Sequence, residues 1–122
     1  MEPQPPHDTT DGVTLSRISI KKVFQGDLEG SANVEMLSAL TQVEGSAGYV
    51  AIEKVSGKLH GRSGAFVFQH SGTMSRGAGE LKVSVVPDSG SGELKGIGGT
   101  MTIDVVEGEH RYSFDYEIGS LA

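Results

Sequence analysis

Apolar and polar residues alternate with period two along almost the whole chain from Gly12 onward, and this pattern constrains the fold more than any other feature. The runs are Ile18-Ile20 with Phe24, Val34-Met36, Val50-Ile52, Phe66-Phe68, Leu81-Val83-Val85, Met101-Ile103-Val105 and Tyr112-Phe114-Tyr116-Ile118. Successive side chains of a strand point to opposite faces, so each run marks a strand with one buried side. Between them lie Gln25-Gly26-Asp27, Val43-Glu44-Gly45, His60-Gly61-Arg62-Ser63-Gly64, Arg76-Gly77, Asp88-Ser89-Gly90-Ser91-Gly92 and Glu107-Gly108-Glu109. These are hairpin-type turns, in which glycine supplies positive φ at little steric cost. Glu35 to Gln42 alone could also pass for a turn or two of helix; its neighbours and its length favour a strand.

A second regularity lies over the first. Gly26-Asp27-Leu28-Glu29-Gly30, Gly57-Lys58-Leu59-His60-Gly61 and Gly92-Glu93-Leu94-Lys95-Gly96 all read Gly-x-Leu-x-Gly, and each leads into an alternating run. A turn-plus-strand unit recurring at roughly thirty residues is a way to build one sheet. The module reads as scaffold that turns or bends a strand so that the next can follow the wall. Antiparallel strands joined by short turns leave two raw edges unless the sheet closes. The expected fold is all-β, a single antiparallel up-and-down β-barrel of about eight strands. Such an interior is either filled by side chains or holds one small ligand.

Length and composition limit the function classes. A chain of 122 residues makes one domain. We expect a mobile N-terminal arm over 1–11, which holds three of the four prolines, and the barrel over 12–122. Acidic residues outnumber basic ones by 16 to 10, so a nucleic-acid phosphate backbone or an anionic membrane would be repelled. With no cysteine, a disulfide framework, thiolate metal ligands and a cysteine nucleophile are all excluded. There is no signal-peptide pattern and no apolar run near the roughly eighteen residues of a membrane span. The expectation is a soluble cytoplasmic protein without cofactor. Its partners would be a small molecule and further copies of itself, as a dimer or trimer.

Candidate chemistry comes from polar residues that alternation places on an apolar face. His70 shares a face with Phe66, Phe68 and Met74, while Glu53 shares one with Tyr49, Ala51 and Val55. With a hairpin about Gly61-Arg62-Ser63-Gly64, residues 53 to 55 would pair near 70 to 72, and a bulge at Gly57 could bring Glu53 and His70 onto one face. Together they would be suited to proton transfer or to polarising a substrate oxygen. The alternative is a structural Glu–His hydrogen bond, or a Glu53 that faces water. Arg62 at the hairpin tip could hold a carboxylate or phosphate, or be a solvated turn residue. Tyr49, Tyr112 and Tyr116, with Phe66, Phe68 and Phe114, would line a pocket or form plain core. His7, His60, His70 and His110 show no metal-ligand spacing. No Gly-x-Ser-x-Gly elbow supports a nucleophilic serine, and Asp88 to Gly92 lacks the lysine and helix of a phosphate loop.

Two stretches carry a family resemblance. They are Gly57-Lys58-Leu59-His60-Gly61-Arg62-Ser63-Gly64-Ala65-Phe66 with Gln69-His70-Ser71-Gly72, and Val85-Val86-Pro87-Asp88-Ser89-Gly90-Ser91-Gly92-Glu93-Leu94-Lys95-Gly96. From about Leu15 to Gly119 the chain resembles an uncharacterised, mainly bacterial family known by a domain of unknown function and grouped with the allene-oxide-cyclase-like barrels. Glu53, Arg62 and His70 match recurring positions of that family. Likeness to the plant cyclase is at the level of fold, where an apolar cavity shapes a reactive chain for ring closure. Fold alone does not carry function across, and the residues leave three readings open: a ligand-binding barrel acting as a cyclase or isomerase, with His70 as proton acceptor and Glu53 as its orienter; a carrier or sensor; or a structural oligomerisation domain. Relatives often show Trp just before the Val-Val-Pro stretch; Val83 stands there, a loss that would open or reshape the cavity.

Overall fold

The computed structural model describes Glu2–Pro3 and residues 12–106 and 109–119, with side chains over 12–103 and 113–119. The strands are β1 (Glu2–Pro3), β2 (Thr14–Phe24), β3 (Leu28–Leu40), β4 (Ala47–Leu59), β5 (Arg62–Ser75), β6 (Ala78–Val85), β7 (Ser91–Gly92), β8 (Ile97–Val106) and β9 (Glu109–Ile118). They form one antiparallel sheet in the order β1-β2-β3-β4-β5-β6-β8-β9, with β7 against β5. Most of Glu35 to Gln42 is strand, inside β3, and no α-helix occurs among the described residues. None of their elements is a helix long and apolar enough to cross a membrane. Of the N-terminal arm, Glu2 and Pro3 pair with Ser19 and Ile18; residues 4–11 lie outside the described residues.

Hydrogen bonds do not close this sheet into a barrel. Its path ends at β1 on one side and β9 on the other, and β1 occupies the edge of β2 at Ile18 and Ser19. Side chains nevertheless bring the two ends together. Phe24 and Leu28 from the start of the sheet pack on the same core as Phe114, Tyr116 and Ile118 from its end.

The β4–β5 hairpin turns at His60-Gly61, earlier than the Gly61-Arg62-Ser63-Gly64 tip expected from composition. Both turn residues have positive φ, 48° and 81°, the geometry whose twist matches that of paired strands. Leu59 then pairs with Arg62, Glu53 with Phe68 and Ala51 with His70. The register runs without interruption past Gly57, which is no bulge. Glu53 and His70 share the inner face simply because Phe68 and His70 lie two residues apart.

Gly57 has another task. Gly30 pairs with Gly57, Gly57 with Gly64 and Gly64 with Gly92, a row of glycines crossing four strands on the inner face. A Cβ on Gly57 would lie 2.1 Å from the Glu29 carbonyl oxygen, and one on Gly64 2.1 Å from that of Ser91. Neighbouring backbones therefore approach across this row too closely for any side chain. Below it Leu28 pairs with Leu59, and Leu59 and Leu94 are buried in the core. The repeated motif thus supplies glycines that let the sheet coil and a leucine that fills the coil. Gly57→Ala should destabilise the fold by about 2–3 kcal/mol, the range for overpacking, lowering Tm by roughly 8–12 °C. Gly98→Ala, where a Cβ meets nothing within 4 Å, should change stability by less than about 0.5 kcal/mol. Equal thermal shifts for the two variants would refute the steric role of the row.

Candidate functional site

On the inner face, β2, β4 and β5 bring Lys22, Glu53 and His70 together across the intervening β3. Along β4 that face carries Tyr49, Ala51, Glu53 and Val55, and along β5 it carries Phe66, Phe68, His70 and Gly72. On β2, Ile18, Ile20, Lys22 and Phe24 share it, with Lys22 opposite Ala32. His70 Nε2 lies 2.6 Å from Glu53 Oε1, and Lys22 Nζ lies 3.5 Å from Glu53 Oε2. Glu53 is 1% exposed and His70 5%. A carboxylate this deep is stable only when paired and hydrogen-bonded. With Lys22 opposite it, Glu53 accepts from His70 Nε2–H, which sets the imidazole tautomer. Oε2 makes no hydrogen bond among the described residues and has only the ion pair with Lys22.

Lys22 is the member that sequence reading missed. Its signal was present: a lysine on the Ile18–Ile20–Phe24 face of an otherwise apolar alternation. Its long stem crosses apolar wall while its head stays partly in solvent.

Tyr49 belongs to the same neighbourhood. It pairs with Gly72, where a Cβ would come within 2.4 Å of Tyr49 Cε1, so the missing side chain makes the slot for the ring. Burial first, and the negative charge of Glu53 second, raise the phenol above its ordinary pKa of 10.0.

The other predicted residues lie elsewhere. Phe66 and Phe68 are fully buried, their rings edge to face at 4.9 Å, and they fill the middle of the wall. Phe114 packs on Phe68 at 5.1 Å and on Tyr116 at 5.2 Å, towards the opposite end from Tyr49. Arg62, the first residue of β5, is exposed and forms no ion pair among the described residues. Tyr112 pairs through its backbone with Ile103, and its side chain lies outside those described. No set of three or more metal-ligating groups converges among the described residues.

The packed middle leaves a cleft towards each end. Between β6 and β8 the ladder consists of Val83–Met101 and Ser84–Thr100 alone. Where it stops, a cleft of about 710 Å³ opens between Gly79 to Leu81 and Met101 to Ile103, with Met36, Tyr49 and Gly72 also lining it. These residues adjoin His70 in the register: Gly72 is two along β5, Met36 pairs with Ala51, and Met101 pairs with Val83. Ala51 and Val83 are the two partners of His70 itself. The second cleft, about 370 Å³, is lined by Phe24, Leu59, Phe114 and Tyr116, and shares Met101 with the first. A hollow of about 970 Å³ on the outer face, lined by Arg17, Leu37 and Ile52 among others, touches none of Tyr49, Glu53 and His70.

The folded state holds the Tyr49 proton more tightly than the unfolded chain does. That contribution to stability is complete below about pH 10 and is lost as pH rises through the raised value. In a Tyr112→Phe/Tyr116→Phe background, where Tyr49 is the remaining tyrosine, adding Glu53→Gln should lower its titration midpoint towards the ordinary value without reaching it, since burial persists. The ultraviolet phenolate band reads this directly, and an unmoved midpoint would show that Glu53 does not act on Tyr49.

A family model described as a protein of unknown function, DUF3224, matches residues 1–116. The crystal structure of a DUF3224-family protein of unknown function from Shewanella oneidensis is similar over 98% of this chain and 90% of that one, with 49% sequence identity and a TM-score of 0.93. No curated protein matches the chain. Nearly all of this curled sheet, including the strands that carry Lys22, Glu53 and His70, falls within the matched residues, and the chain belongs to the DUF3224 family.

Proposed function

We propose that this protein binds an apolar or amphipathic small molecule in the cleft between β6 and β8. One observation carries the reading: the sheet parts there, beyond Val83–Met101, and the opening leads to the inner face beside His70. Met36, Met101 and Ile103 give the cleft an apolar lining, and methionine adapts its shape to a ligand at little cost. Val83 pairs with His70 on one side and with Met101, at the edge of the cleft, on the other. In this reading the curled sheet is a barrel of about eight strands held shut by side chains, in keeping with the resemblance to allene-oxide-cyclase-like barrels.

The buried pair adds acid–base capacity to a shaped wall. Glu53 holds the Nε2–H of His70, and Nδ1, which makes no hydrogen bond among the described residues, is the atom that would take up or release a proton. Holding a flexible chain folded beside such a group is the way a cyclase or isomerase would work here. A carrier would use the same cleft without the proton.

Binding of the fluorescent anionic dye 1-anilinonaphthalene-8-sulfonate tests the cleft. Leu81→Trp, at a half-exposed cleft residue, should weaken dye binding about tenfold, a cost of about 1.4 kcal/mol, with thermal stability unchanged. His70→Gln should leave dye affinity within about twofold, because His70 lies behind the lining rather than in it. If Leu81→Trp leaves dye affinity unchanged, the cleft is not the binding site. Native mass spectrometry of the purified protein then identifies the class of any bound molecule.

A further inference from the structure

The second cleft, at the end of the sheet away from Tyr49, holds a cluster that the proposed reading does not use. Two turns and the last strand build it. The His60 backbone N–H donates to the Asp27 carbonyl at 2.9 Å, pinning the β4–β5 turn to the β2–β3 turn. His60 Nδ1 lies 2.6 Å from the Tyr116 hydroxyl, and Nε2 lies 3.4 Å from Asp27 Oδ2. His60 thus links the Tyr116 hydroxyl, at hydrogen-bond distance, to the Asp27 carboxylate, at ion-pair distance.

Aromatic rings line the cleft, and Asp27 stands at its exposed rim. Phe24, His60, Phe114 and Tyr116 all line the cleft beside Asp27. Tyr116 is tilted by 36° to Phe114 and by 44° to His60, so these rings do not stack face to face on one another. Among the described residues no lysine or arginine lines it, and the whole chain carries a formal net charge of −6. The faces of aromatic rings are the negative ends of their quadrupoles and attract cations that shed water easily. A carboxylate at the rim adds attraction for the same sign and repels anions.

We propose that this cleft is a binding site for a small organic cation, a quaternary or methylated ammonium group, with Phe114 and Tyr116 as ring walls and Asp27 as counter-charge. The site is independent of the β6–β8 cleft and touches it only through Met101.

Choline and its uncharged isostere 3,3-dimethylbutan-1-ol test the assignment, with the imidazole signals of His60 and His70 followed by NMR in the full chain. Choline should bind about tenfold more tightly than the isostere, shifting His60 and sparing His70. Asp27→Asn should weaken choline binding several-fold, whereas Tyr116→Phe, which keeps the ring, should retain it within about twofold. Asp27 is on the surface, so its variant tests binding without threatening the fold. Equal affinity for choline and its isostere, or saturation with choline that leaves the His60 signals unmoved, would overturn the proposal. Either result leaves the dye experiment on the other cleft unaffected.

Discussion

The close approach of four backbones along the row Gly30, Gly57, Gly64 and Gly92 is the constraint on which the rest of the structure depends. A flat sheet of these strands would bury one face of each against nothing. Coiling at the glycine row turns that inner face onto itself, so that Phe24 near one edge meets the core shared with Phe114 and Tyr116 near the other. The cost is local: glycine loses more chain entropy on folding than any other residue and contributes no side chain to the core. Leucines of the same motif fill the space beside it, and Leu59 and Leu94 are almost completely buried.

Coiling also explains how a carboxylate can occupy the interior. Glu53 is surrounded in the register by Val34 and Phe68, neither of which can satisfy it. Its partners come from diagonal positions, His70 on β5 and Lys22 two strands away on β2. Losing one member of such a buried set leaves an uncompensated charge, and in proteins generally this costs about 3–5 kcal/mol. The cluster therefore contributes little net stability over a packed apolar core while being hard to remove.

The two ends of the inner face differ in chemistry. Towards β6 and the open part of β8, methionines, Tyr49 and a parted ladder make a wide, deformable cleft. At the other end, tilted rings and the His60 side chain, hydrogen-bonded to Tyr116 and near Asp27, make a smaller one. Phe66 and Phe68 fill the wall between them, and Met101 is the one residue common to both linings. A long unbranched side chain at that point is the piece of the partition most able to move.

How far the sequence could be read follows from which interactions are local. Strand positions, the repeated motif and the place of His70 on the face of Phe66 and Phe68 were legible, because each depends on period-two alternation and on glycine's conformational range, whereas alternation alone left the direction of Glu53 open. The exact hairpin register was not, since a turn of His60-Gly61 and one of Gly61 to Gly64 have almost the same composition. Lys22 was passed over because a lysine at the end of an apolar run looks solvated until the partner two strands away is known. The sequence by itself determined an all-β chain of alternating strands, with His70 on the face of Phe66 and Phe68. Only the tertiary structure decided that Glu53 faces inward to meet His70, that the ladder stays open, that Arg62 stands apart, and that His60 meets both Asp27 and Tyr116. Those outcomes depend on how far the sheet coils, which is set by contacts between residues such as His60 and Tyr116, 56 positions apart, and no local pattern encodes such distances.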